Sequence, residues 1–310
     1  MIAIQDQRFG VEIEVAGQSR ERIAQAVSEA TGGYIAATHQ TTYDTTIVTD
    51  PSGRQWKIMN DSSIAVVNGH KGSEVVTPIL IYSDLPLLQE VVRSLRHCGC
   101  QAVDSTSVHC HIDASPHTPQ SLSRLAKMFY KNEDLIFQAL QVRPERRERY
   151  CRPMDEDFID KVAKLRPQSF EKLNECWFGQ YTEHPPRYHP SRYKALNLVP
   201  KWRSLNTFEV RIQNGTLHSG RIKSLVQFCL ALSAKALNSY SASHKKIPTD
   251  NPKFNFRVWL VSSLGMKGDE FKTARYHLTR YLPGNSAWRY GKPDHTPPQP
   301  ELPTACHQNS

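Results

Sequence analysis

The sequence lacks the long apolar segments of membrane-spanning and exported proteins. Its longest apolar stretch, residues 224–237, is interrupted by Gln227 and Lys235. A transmembrane helix needs about 20 mostly apolar residues, and a signal peptide needs an apolar region after its basic start. The N-terminal segment instead enters a charged stretch at Arg8. These absences argue against a secreted or membrane-spanning protein and predict a cytoplasmic one.

Cysteine is scarce and irregularly spaced. The seven cysteines lie at positions 98, 100, 110, 151, 176, 229 and 306. An odd number without a regular pattern does not indicate a disulfide framework. Cys98 and Cys100, separated by one glycine, have the wrong spacing for a zinc knuckle and no matching second pair. We therefore predict reduced thiols.

Acidic residues are outnumbered by basic ones, and internal repeats are absent. The 39 lysines and arginines exceed the 30 aspartates and glutamates, which gives a net charge of +9 and a pI near 9.2. A basic protein suits anionic ligands, and nucleic acid is one of them. The arginine-rich segment 143–152 would fit a nucleic-acid patch, but Glu145 and Glu148 interrupt it. A solvated helix or loop is the simpler interpretation, so nucleic acid is the less favoured partner.

What the sequence does contain is three short segments in which ionisable and apolar residues alternate. They are R-F-G-V-E-I-E-V (8–15), V-H-C-H-I-D (108–113) and F-E-V-R-I (208–212). Because side chains on a strand alternate between its two faces, each segment predicts a strand with one apolar and one charged face. The residues placed on the charged side of one sheet are Glu12 and Glu14, His109 and His111, and Glu209 and Arg211.

Two carboxylates on the same face of a strand repel each other. At positions i and i+2 they lie roughly 7 Å apart, which at an effective dielectric near 20 amounts to about 2.4 kcal/mol. Divalent cations remove this repulsion. Mg²⁺ prefers carboxylate oxygens and substrate phosphates, whereas Mn²⁺ and Zn²⁺ also accept imidazole. A lone E-x-E segment is more simply a solvated strand face, but three charged pairs in one chain favour a metal site.

The order of these motifs resembles a known superfamily. The chain carries, in order, an early E-x-E, a carboxylate pair, an H-x-H and a late E-x-R. This order resembles the glutamine synthetase and glutamate-cysteine ligase superfamily of ATP-dependent carboxylate-amine ligases. The resemblance is greatest to its amidoligase family. Further matching blocks are W-K-I-M-N-D-S-S-I (56–64), E-V-V-T-P (74–78), R-Y-K-A-L-N-L (192–198) and F-E-V-R-I-Q-N-G-T-L (208–217). One departure is D-S-T-S-V (104–108), where relatives usually carry a glycine.

The resemblance implies a role for each charged residue. About two or three Mg²⁺ or Mn²⁺ ions bridging the ATP phosphates are expected on a shared set of ligands. The implied ligands are Glu12, Glu14, Glu74, His109 and Glu209, with Asp61 either a further ligand or a contact to the amine. The resemblance also implies a catalytic role for Glu209. Arg211, on the same strand, would contact the nucleotide and stabilise the transferred phosphoryl group, because its guanidinium offers planar bidentate contacts.

Weaker expectations concern the remaining polar residues. His111 is expected to touch the nucleotide phosphate or ribose, with a hydrogen-bonded sheet histidine as the alternative. Arg149 and Arg152 are expected to contact the carboxylate substrate. Arg192 and Asn197 are expected to contact that substrate or the nucleotide.

Turn and periodicity signals divide the chain into strands and helices. Helices are predicted at 19–30, 83–96, 118–142, 155–164, 169–177, 219–240, 254–264 and 267–281, and further strands at 34–37, 43–49, 54–59, 73–77 and 193–199. Strands joined by hairpins, with helices inserted in runs, indicate an α+β domain with a mostly antiparallel sheet. The resemblance adds that the sheet is curved, with helices packed on one side, as in a glutamine synthetase-like catalytic domain.

The motifs span most of the chain, which favours a single large domain. We predict a catalytic domain over residues 1–282, including the C-terminal helices at 219–281, and a disordered proline-rich tail at 283–310. The polar loop 179–190 contains Pro185, Pro186 and Pro190. Its length fits a lid over the substrate as well as a simple connection.

Three classes of function fit these observations. The leading hypothesis is an ATP-dependent ligase that joins a small-molecule or peptide carboxylate to an amine through an acyl phosphate. The second is a phosphotransferase of the same superfold, and the third is a metal-dependent nuclease or hydrolase, although neither an E-x-R pair nor an H-x-H strand is needed for nuclease chemistry. A pure binding module has no reason to carry three charged pairs. By resemblance, the protein partner would be a neighbouring amidotransferase or peptide-modifying protein.

Overall fold

The computed structural model describes residues 1–39, 44–246 and 250–290, and its central element within these ranges is a nine-stranded sheet. The strands are β1 (Arg8–Val15), β2 (Tyr34–His39), β3 (Thr45–Thr49), β4 (Gln55–Asn60), β5 (Ser73–Val76), β6 (Leu80–Ile81), β7 (Ser107–Asp113), β8 (Leu196–Asn197) and β9 (Thr207–Asn214). Their spatial order is β2-β3-β4-β5-β1-β7-β9-β8, and β6 also pairs with β1. All these pairings are antiparallel. The sheet is open, with β2 and β8 at its edges, and its antiparallel pairing confirms the α+β class predicted from the sequence.

The helices follow the strands in runs. They are α1 (Arg20–Thr31), α2 (Leu85–His97), α3 (Pro119–Ala139), α4 (Pro144–Arg149), α5 (Glu156–Leu165), α6 (Phe170–Phe178), α7 (Ser219–Asn238), α8 (Pro252–Val258) and α9 (Lys272–Thr279). A π-helical turn, Trp259–Ser263, continues α8. None of the helices in the described ranges combines the length and apolarity needed to cross a bilayer.

The core lies on the apolar face of the sheet. Phe9, Val11, Ile13 and Val15 alternate along β1 and are all buried there. Helix α1 packs against β2, β3 and β4, α7 packs against β7, and α2 and α3 pack on these helices. Each fully buried aliphatic or aromatic side chain contributes about 1.5–3 kcal/mol relative to an exposed one. Burial of this face fixes the register of the central strands, because a slip of one residue would expose the whole apolar set.

Local signals place the first helix and the first hairpin correctly. Helix α1 begins after Ser19, whose side chain accepts a hydrogen bond from the Arg22 amide, and ends at Gly32, which has a φ of +67°. Between β3 and β4, the Asp50 carboxylate accepts hydrogen bonds from the amides of Ser52 and Arg54. Such caps and turns satisfy backbone groups that the regular elements leave free.

Several predicted boundaries are wrong; the helix predicted at 267–281, for example, is the 3₁₀ turn Asp269–Phe271 followed by α9. Three others differ for a local reason. Helix α2 begins at Leu85 rather than after Ser83, because Tyr82–Asp84 forms a 3₁₀ turn that places Asp84 at the cap. Helix α3 ends at Ala139, short of residue 142, and Gln141 has a φ of +50°. The strand predicted at 193–199 shrinks to β8.

Strand β8 is short because the chain turns on either side of it. The 3₁₀ turns Pro190–Tyr193 and Val199–Trp202 flank it. Each turn contains a proline, whose φ, fixed at about −65°, suits such turns. The sheet edge at β8 is therefore only two residues long.

Two predicted segments extend outside the described residues. The strand predicted at 43–49 is described from residue 44, and its regular part is β3. Of the tail predicted at 283–310, residues 283–290 are described. The Lys253 amide donates a hydrogen bond to the carbonyl oxygen of Pro283, and the Asn251 side chain donates one to the carbonyl oxygen of Trp288. Residues 291–310 lie outside the described ranges.

Candidate active site

The register of four neighbouring strands brings the charged residues together. Across β1 and β7, Glu12 lies opposite His109, and across β1 and β5, Glu14 lies opposite Glu74. Across β7 and β9, His111 lies opposite Glu209. Since directly opposite side chains on one face of a sheet are close neighbours, the three charged segments meet on one surface.

A register shift between β7 and β9 lies within this surface. Val108 pairs with Gln213 and Cys110 with Val210, so His109 faces two residues of β9, Arg211 and Ile212. An extra residue of this kind bends the strand and changes the direction of its side chains, and it is common next to active sites. Here Arg211 still reaches the charged face while Ile212 is fully buried.

Two histidines contact Glu12 from the adjacent strand. The Nδ1 atom of His109 lies 3.0 Å from Glu12 Oε2, and the Nε2 atom of His111 lies 3.2 Å from Glu12 Oε1. The opposite nitrogens contact hydroxyl groups, since His109 Nε2 is 2.8 Å from Ser107 Oγ and His111 Nδ1 is 3.1 Å from Thr207 Oγ1. Contacts of this type fix the orientation of an imidazole that could coordinate a metal.

Glu209 is held on both oxygens. Arg211 Nη1 lies 2.6 Å from Oε1, and Asn197 Nδ2 donates to Oε2 at 2.7 Å. The Arg211 guanidinium also lies over the ring of Tyr193 and donates weakly to the carbonyl oxygen of Tyr150. Asn197, predicted to touch substrate or nucleotide, is therefore a partner of Glu209 in this structure. The contacts of Glu209 with Arg211 and Asn197 are buried.

A second acidic group lies further along β1. Glu14 is buried, and its Oε2 atom accepts a hydrogen bond of 2.7 Å from the Ser107 amide. Glu74 approaches it from β5, and Asp61 approaches from the segment that follows β4. The Asp61 Oδ1 atom also accepts a hydrogen bond from the Ser63 amide at 2.8 Å, which orients this carboxylate. The family resemblance implied Glu14 and Glu74 as ligands, and Asp61 as either a further ligand or a contact to the amine.

Among the described residues, three overlapping groups have ligand atoms within 4.8 Å of one another. They are Glu12, His111 and Glu209; Glu12, Glu74 and His109; and Glu14, Asp61 and Glu74. The all-carboxylate group suits Mg²⁺, whereas the two groups with one imidazole each suit Mn²⁺ or Zn²⁺ better. The Nε2 atom of His111 is buried and has no hydrogen-bond partner among the described residues, although Glu12 is close. The donor set thus fits a divalent cation.

The histidines compensate the charge of Glu12. Burial by itself would raise the pKa of Glu12, but the charge and close contact of His111, with a hydrogen bond from His109, hold this pKa well below its usual value. Burial would likewise lower the pKa of His111, but the charges of Glu12 and Glu209 raise it to about 9. The Glu12 and His111 pair is therefore ionised near neutral pH.

Glu74 is in the opposite situation. Burial, followed by the negative charges of Glu12, Glu14 and Asp61, raises its pKa well above the usual value for a carboxyl group. Glu209 differs again, since the charge of Arg211 overcomes the effect of burial and lowers its pKa. The negative charge that the protein leaves without a cationic partner is thus concentrated around Glu74, which is where a cation would bind most favourably.

An apolar cleft of about 360 Å³ opens beside the Glu12 and His111 end of the site. Its floor includes Gly10, and Ile79 and Leu205 stand exposed at its rim. The cleft exists because residues 77–79 leave the sheet between β5 and β6, both of which pair with β1. A Cβ atom at Gly10 would make only ordinary contacts, the nearest being Thr77 Oγ1 at 3.7 Å. Glycine at this position therefore leaves room for a ligand without being required by the backbone.

The structure does not bring three of the predicted arginines to the carboxylate cluster. Arg149 is exposed on α4, and Arg152 donates to the carbonyl oxygen of Pro190. Arg192 donates to the Arg187 carbonyl oxygen and packs on neighbouring tyrosine rings. Each is directed to the outer surface formed by α4 and the 179–193 segment.

The arginine that does reach the site is Arg146, which sequence reasoning missed. It is buried, and its Nη2 atom lies 3.1 Å from the carbonyl oxygen of Arg211. Its Nε atom, like Nη1 of Arg143, is buried without a hydrogen-bond partner among the described residues. Burial, together with the charges of Arg211 and Arg143, lowers the pKa of Arg146, against the effect of Glu14. Helical spacing does not identify it, because Arg149 lies at i+3 on nearly the same side of this six-residue helix and is nevertheless exposed.

The fold and the site define a class of protein: an open antiparallel sheet whose charged face carries a candidate divalent-metal site beside a ligand-sized cleft. The chain belongs to the family described as putative amidoligase enzyme, whose sequence profile matches residues 5–233. This span includes every strand of the sheet and all the residues of the three ligand groups. Family membership indicates a ligase that forms amide bonds. A search of curated proteins gave no match.

Proposed function

We propose that this protein is an ATP-dependent carboxylate-amine ligase with a glutamine synthetase-like catalytic domain. The observation that supports this most strongly is the meeting of three charged strand segments in overlapping ligand groups, with Arg211 held beside them. A metal site of this composition suits polyphosphate binding, and amide-bond formation is the activity that the family's name describes.

The reaction requires activation of the acid. A carboxylate is a poor electrophile at neutral pH, so one of its oxygens first attacks the γ-phosphorus of ATP, and ADP leaves. The amine then attacks the acyl phosphate, inorganic phosphate leaves with the former carboxylate oxygen, and the nitrogen loses a proton. The protein's contribution is to position these groups, screen their charge and exclude water.

The carboxylate cluster would hold Mg²⁺ or Mn²⁺ for this reaction. The candidate ligands are Glu12, Glu14, Asp61, Glu74, His109 and Glu209. The bound ions would neutralise the phosphate oxygens of ATP. The repulsion that raises the pKa of Glu74 would be relieved at the same time.

The apolar cleft supplies a place for the nucleotide base. It adjoins Glu12 and His111, so a base in the cleft would leave the phosphates directed toward the ligand groups. His111 lies between the cleft and the ligand groups, so it would then contact phosphate or ribose. Pockets for such ligands commonly combine an apolar lining with a few polar groups.

Two arginines are suited to the reacting groups. Arg211 is fixed by Glu209 and lies at the centre of the charged face, which suits stabilisation of the transferred phosphoryl group. Arg146 carries a buried guanidinium close to the same strand, which suits the carboxylate of the acid. Removal of one preorganised donor to a developing charge lowers rates by roughly 10²- to 10³-fold in studied enzymes.

Hydroxylamine provides a test that does not require the natural amine. It reacts with acyl phosphates to give hydroxamates, so a panel of amino acids, dicarboxylates and peptides can be incubated with the protein, ATP, Mg²⁺ and hydroxylamine. We expect ADP and a hydroxamate to form together with at least one acid. Glu12→Gln should abolish both products, whereas Glu90→Gln, on the exposed part of α2, should not.

The alternatives give different results in the same assay. A stable phosphorylated acid with ADP but no hydroxamate would identify a phosphotransferase. Cleavage of DNA or RNA without ATP would identify a nuclease. Either result would replace the ligase proposal.

The nucleotide position can be tested separately by calorimetry. A non-hydrolysable ATP analogue should bind in the presence of Mg²⁺ or Mn²⁺, and EDTA should abolish binding. Gly10→Val, which fills the floor of the cleft, should weaken binding of the analogue by about tenfold or more but leave Mn²⁺ binding unchanged. Equal binding of the analogue in EDTA would contradict the metal site, and normal binding to Gly10→Val would contradict the assignment of the cleft.

A further inference from the structure

Two cysteines lie close together outside the proposed active site. Cys98 and Cys100 follow the C-terminal end of α2, and their Sγ atoms are 3.6 Å apart. Gly99 between them has a φ of +95°, a left-handed conformation that glycine adopts without strain. A disulfide bond is about 2.05 Å long, so modest side-chain rotation would bring the sulfurs into bonding range.

The two thiols differ in accessibility. Cys98 is half-buried, whereas Cys100 is only 6% exposed and packs with the core. An external reagent would therefore meet Cys98 first, and Cys100 would be positioned behind it. This is the arrangement of an attacking thiol with a resolving thiol.

The surroundings also favour the Cys98 thiolate. A hydrogen bond from Cys100, followed by smaller effects that include the charge of Arg22 on α1, lowers the pKa of Cys98 to about 7 despite partial burial. The pKa of Cys100 is raised by the same hydrogen bond and by burial. The Leu95 carbonyl oxygen at the end of α2 lies 3.2 Å from Cys98 Sγ and opposes a negative charge there, but the net effect of the surroundings still lowers the pKa of Cys98. A thiolate, rather than a thiol, is the attacking species in disulfide exchange.

We propose that Cys98 and Cys100 form a reactive dithiol that reduces low-molecular-weight disulfides. The Cys98 thiolate attacks one sulfur of the external disulfide, which forms a mixed disulfide and releases one thiolate. Cys100 gives its proton to solvent and attacks the Cys98 sulfur, which forms the internal disulfide and releases the second thiolate. Two electrons pass from the protein dithiol to the small disulfide, and two small thiols are the products.

The core contains a second cysteine pair that serves as an internal comparison. Cys110 on β7 and Cys229 on α7 interact with each other, but both are completely buried. Burial raises the pKa of Cys229 well above its usual value. The two cysteines of each pair are therefore close together. Of the two pairs, only Cys98 and Cys100 include an accessible sulfur with a stabilised thiolate, that of Cys98.

Glutathione disulfide is a suitable probe of the native full-length chain. Cys306, which lies outside the described residues, is first replaced by serine in every variant. After incubation and acid quenching, mass spectrometry should find the parent protein two hydrogens lighter, with a disulfide between Cys98 and Cys100. The Cys100→Ser variant should instead keep a stable glutathione adduct on Cys98, and the Cys98→Ser variant should form neither product.

The outcome at the core pair controls for unfolding. Cys110 and Cys229 should remain reduced in the folded protein and react only in urea. A parent protein that stays fully reduced would overturn the proposal. A second result would also overturn it: a glutathione adduct on Cys98 that lasts as long in the parent protein as in the Cys100→Ser variant. Cys100 would then not be the thiol that displaces glutathione from Cys98.

Discussion

Glu14 and Glu74 lie directly opposite each other across β1 and β5. Asp61 joins them, and the combined effect of burial and neighbouring carboxylates raises the pKa of Glu74 well above its usual value. The sequence predicted that the uncompensated repulsion lies between Glu12 and Glu14. In the structure, however, Glu12 is compensated by two histidines, so the uncompensated charge belongs to Glu74.

Glu74→Gln should leave the metal-free protein equally stable or more stable, while it removes metal binding. Like charges directly opposite in a sheet are destabilising, typically by about 0.2–1 kcal/mol. A carboxyl group with a raised pKa contributes stability at low pH and loses it as the pH rises through the folded value, so the advantage of the variant should grow with pH. Urea denaturation in EDTA from pH 5 to pH 8 measures this difference.

Glu12→Gln is the matched comparison, and it should destabilise the metal-free protein. Its carboxylate accepts a hydrogen bond from His109 and pairs with His111, and these contacts lower its pKa. Hydrogen bonds to charged groups contribute about 1.5–3 kcal/mol. If Glu74→Gln destabilises or unfolds the protein, Glu74 is a structural node and not an uncompensated metal ligand. If Glu12→Gln stabilises the protein, the two histidines do not compensate Glu12.

Arg211→Lys separates charge from geometry. Lysine keeps the positive charge but loses the planar fork, so turnover should fall by roughly 10²- to 10³-fold while ATP binding changes little. The measurements are hydroxamate formation and calorimetric ATP-analogue binding for the same preparation. A merely structural Arg211 would neutralise Glu209, a task that lysine can perform. Near-normal turnover in Arg211→Lys would therefore assign this residue to the scaffold.

Arg146 and Arg149 lie on the same short helix but face different environments. Arg146→Gln should raise the KM for the acid by about 10- to 100-fold, the range expected for a lost hydrogen bond to a charged group. Arg149→Gln should leave the KM unchanged, because Arg149 is exposed on α4. Arg146→Lys, which retains charge, tests whether folding alone explains the effect. Equal KM values for the Arg146 and Arg149 glutamine variants would exclude Arg146 from the acid site.

His117 should make the protein sensitive to mild acid. It is buried between Ser121 and Ser233, and burial, with smaller effects from Lys201 and Arg124, lowers its pKa from 6.5 to about 4. The unfolded chain therefore binds a proton that the folded chain does not, so stability falls as the pH drops from 6.5 toward 4. The slope from this residue should approach about 1.4 kcal/mol per pH unit.

The control for this prediction is a histidine on the surface. His117→Gln, compared at each pH by urea denaturation, should show a shallower loss of stability than the parent over this range. His97→Gln, at the exposed end of α2, should retain the parent slope. An unchanged slope in His117→Gln would mean that His117 is already protonated in the folded protein.

Much of the fold was accessible from local sequence signals. Ser19 and Gly32 bound α1, and alternation along β1 and β9 correctly assigned Val11 and Val210 to the core and Glu12 to the charged face. These features depend on nearest neighbours along the chain, so they are encoded locally. Strand β8 was overpredicted because an apolar run does not reveal that the chain turns on both sides of it.

The candidate site was predictable only in part. The members of the carboxylate and imidazole set follow from alternation within single strands and from the family resemblance. Which of them become neighbours depends on strand order and register, which bring β5 beside β1 and Glu74 opposite Glu14. The charge of Glu12 is compensated for the same reason, since β7 supplies both histidines.

The sequence by itself determined which side chains share a face, because side-chain alternation is a property of the individual strand. Only the tertiary structure decided which charges compensate one another and which arginine of α4 is buried. Those outcomes depend on contacts between segments far apart in the chain, such as Arg146 with Arg211. Electrostatic energy depends on distance and burial, and neither is fixed until the apolar face has packed.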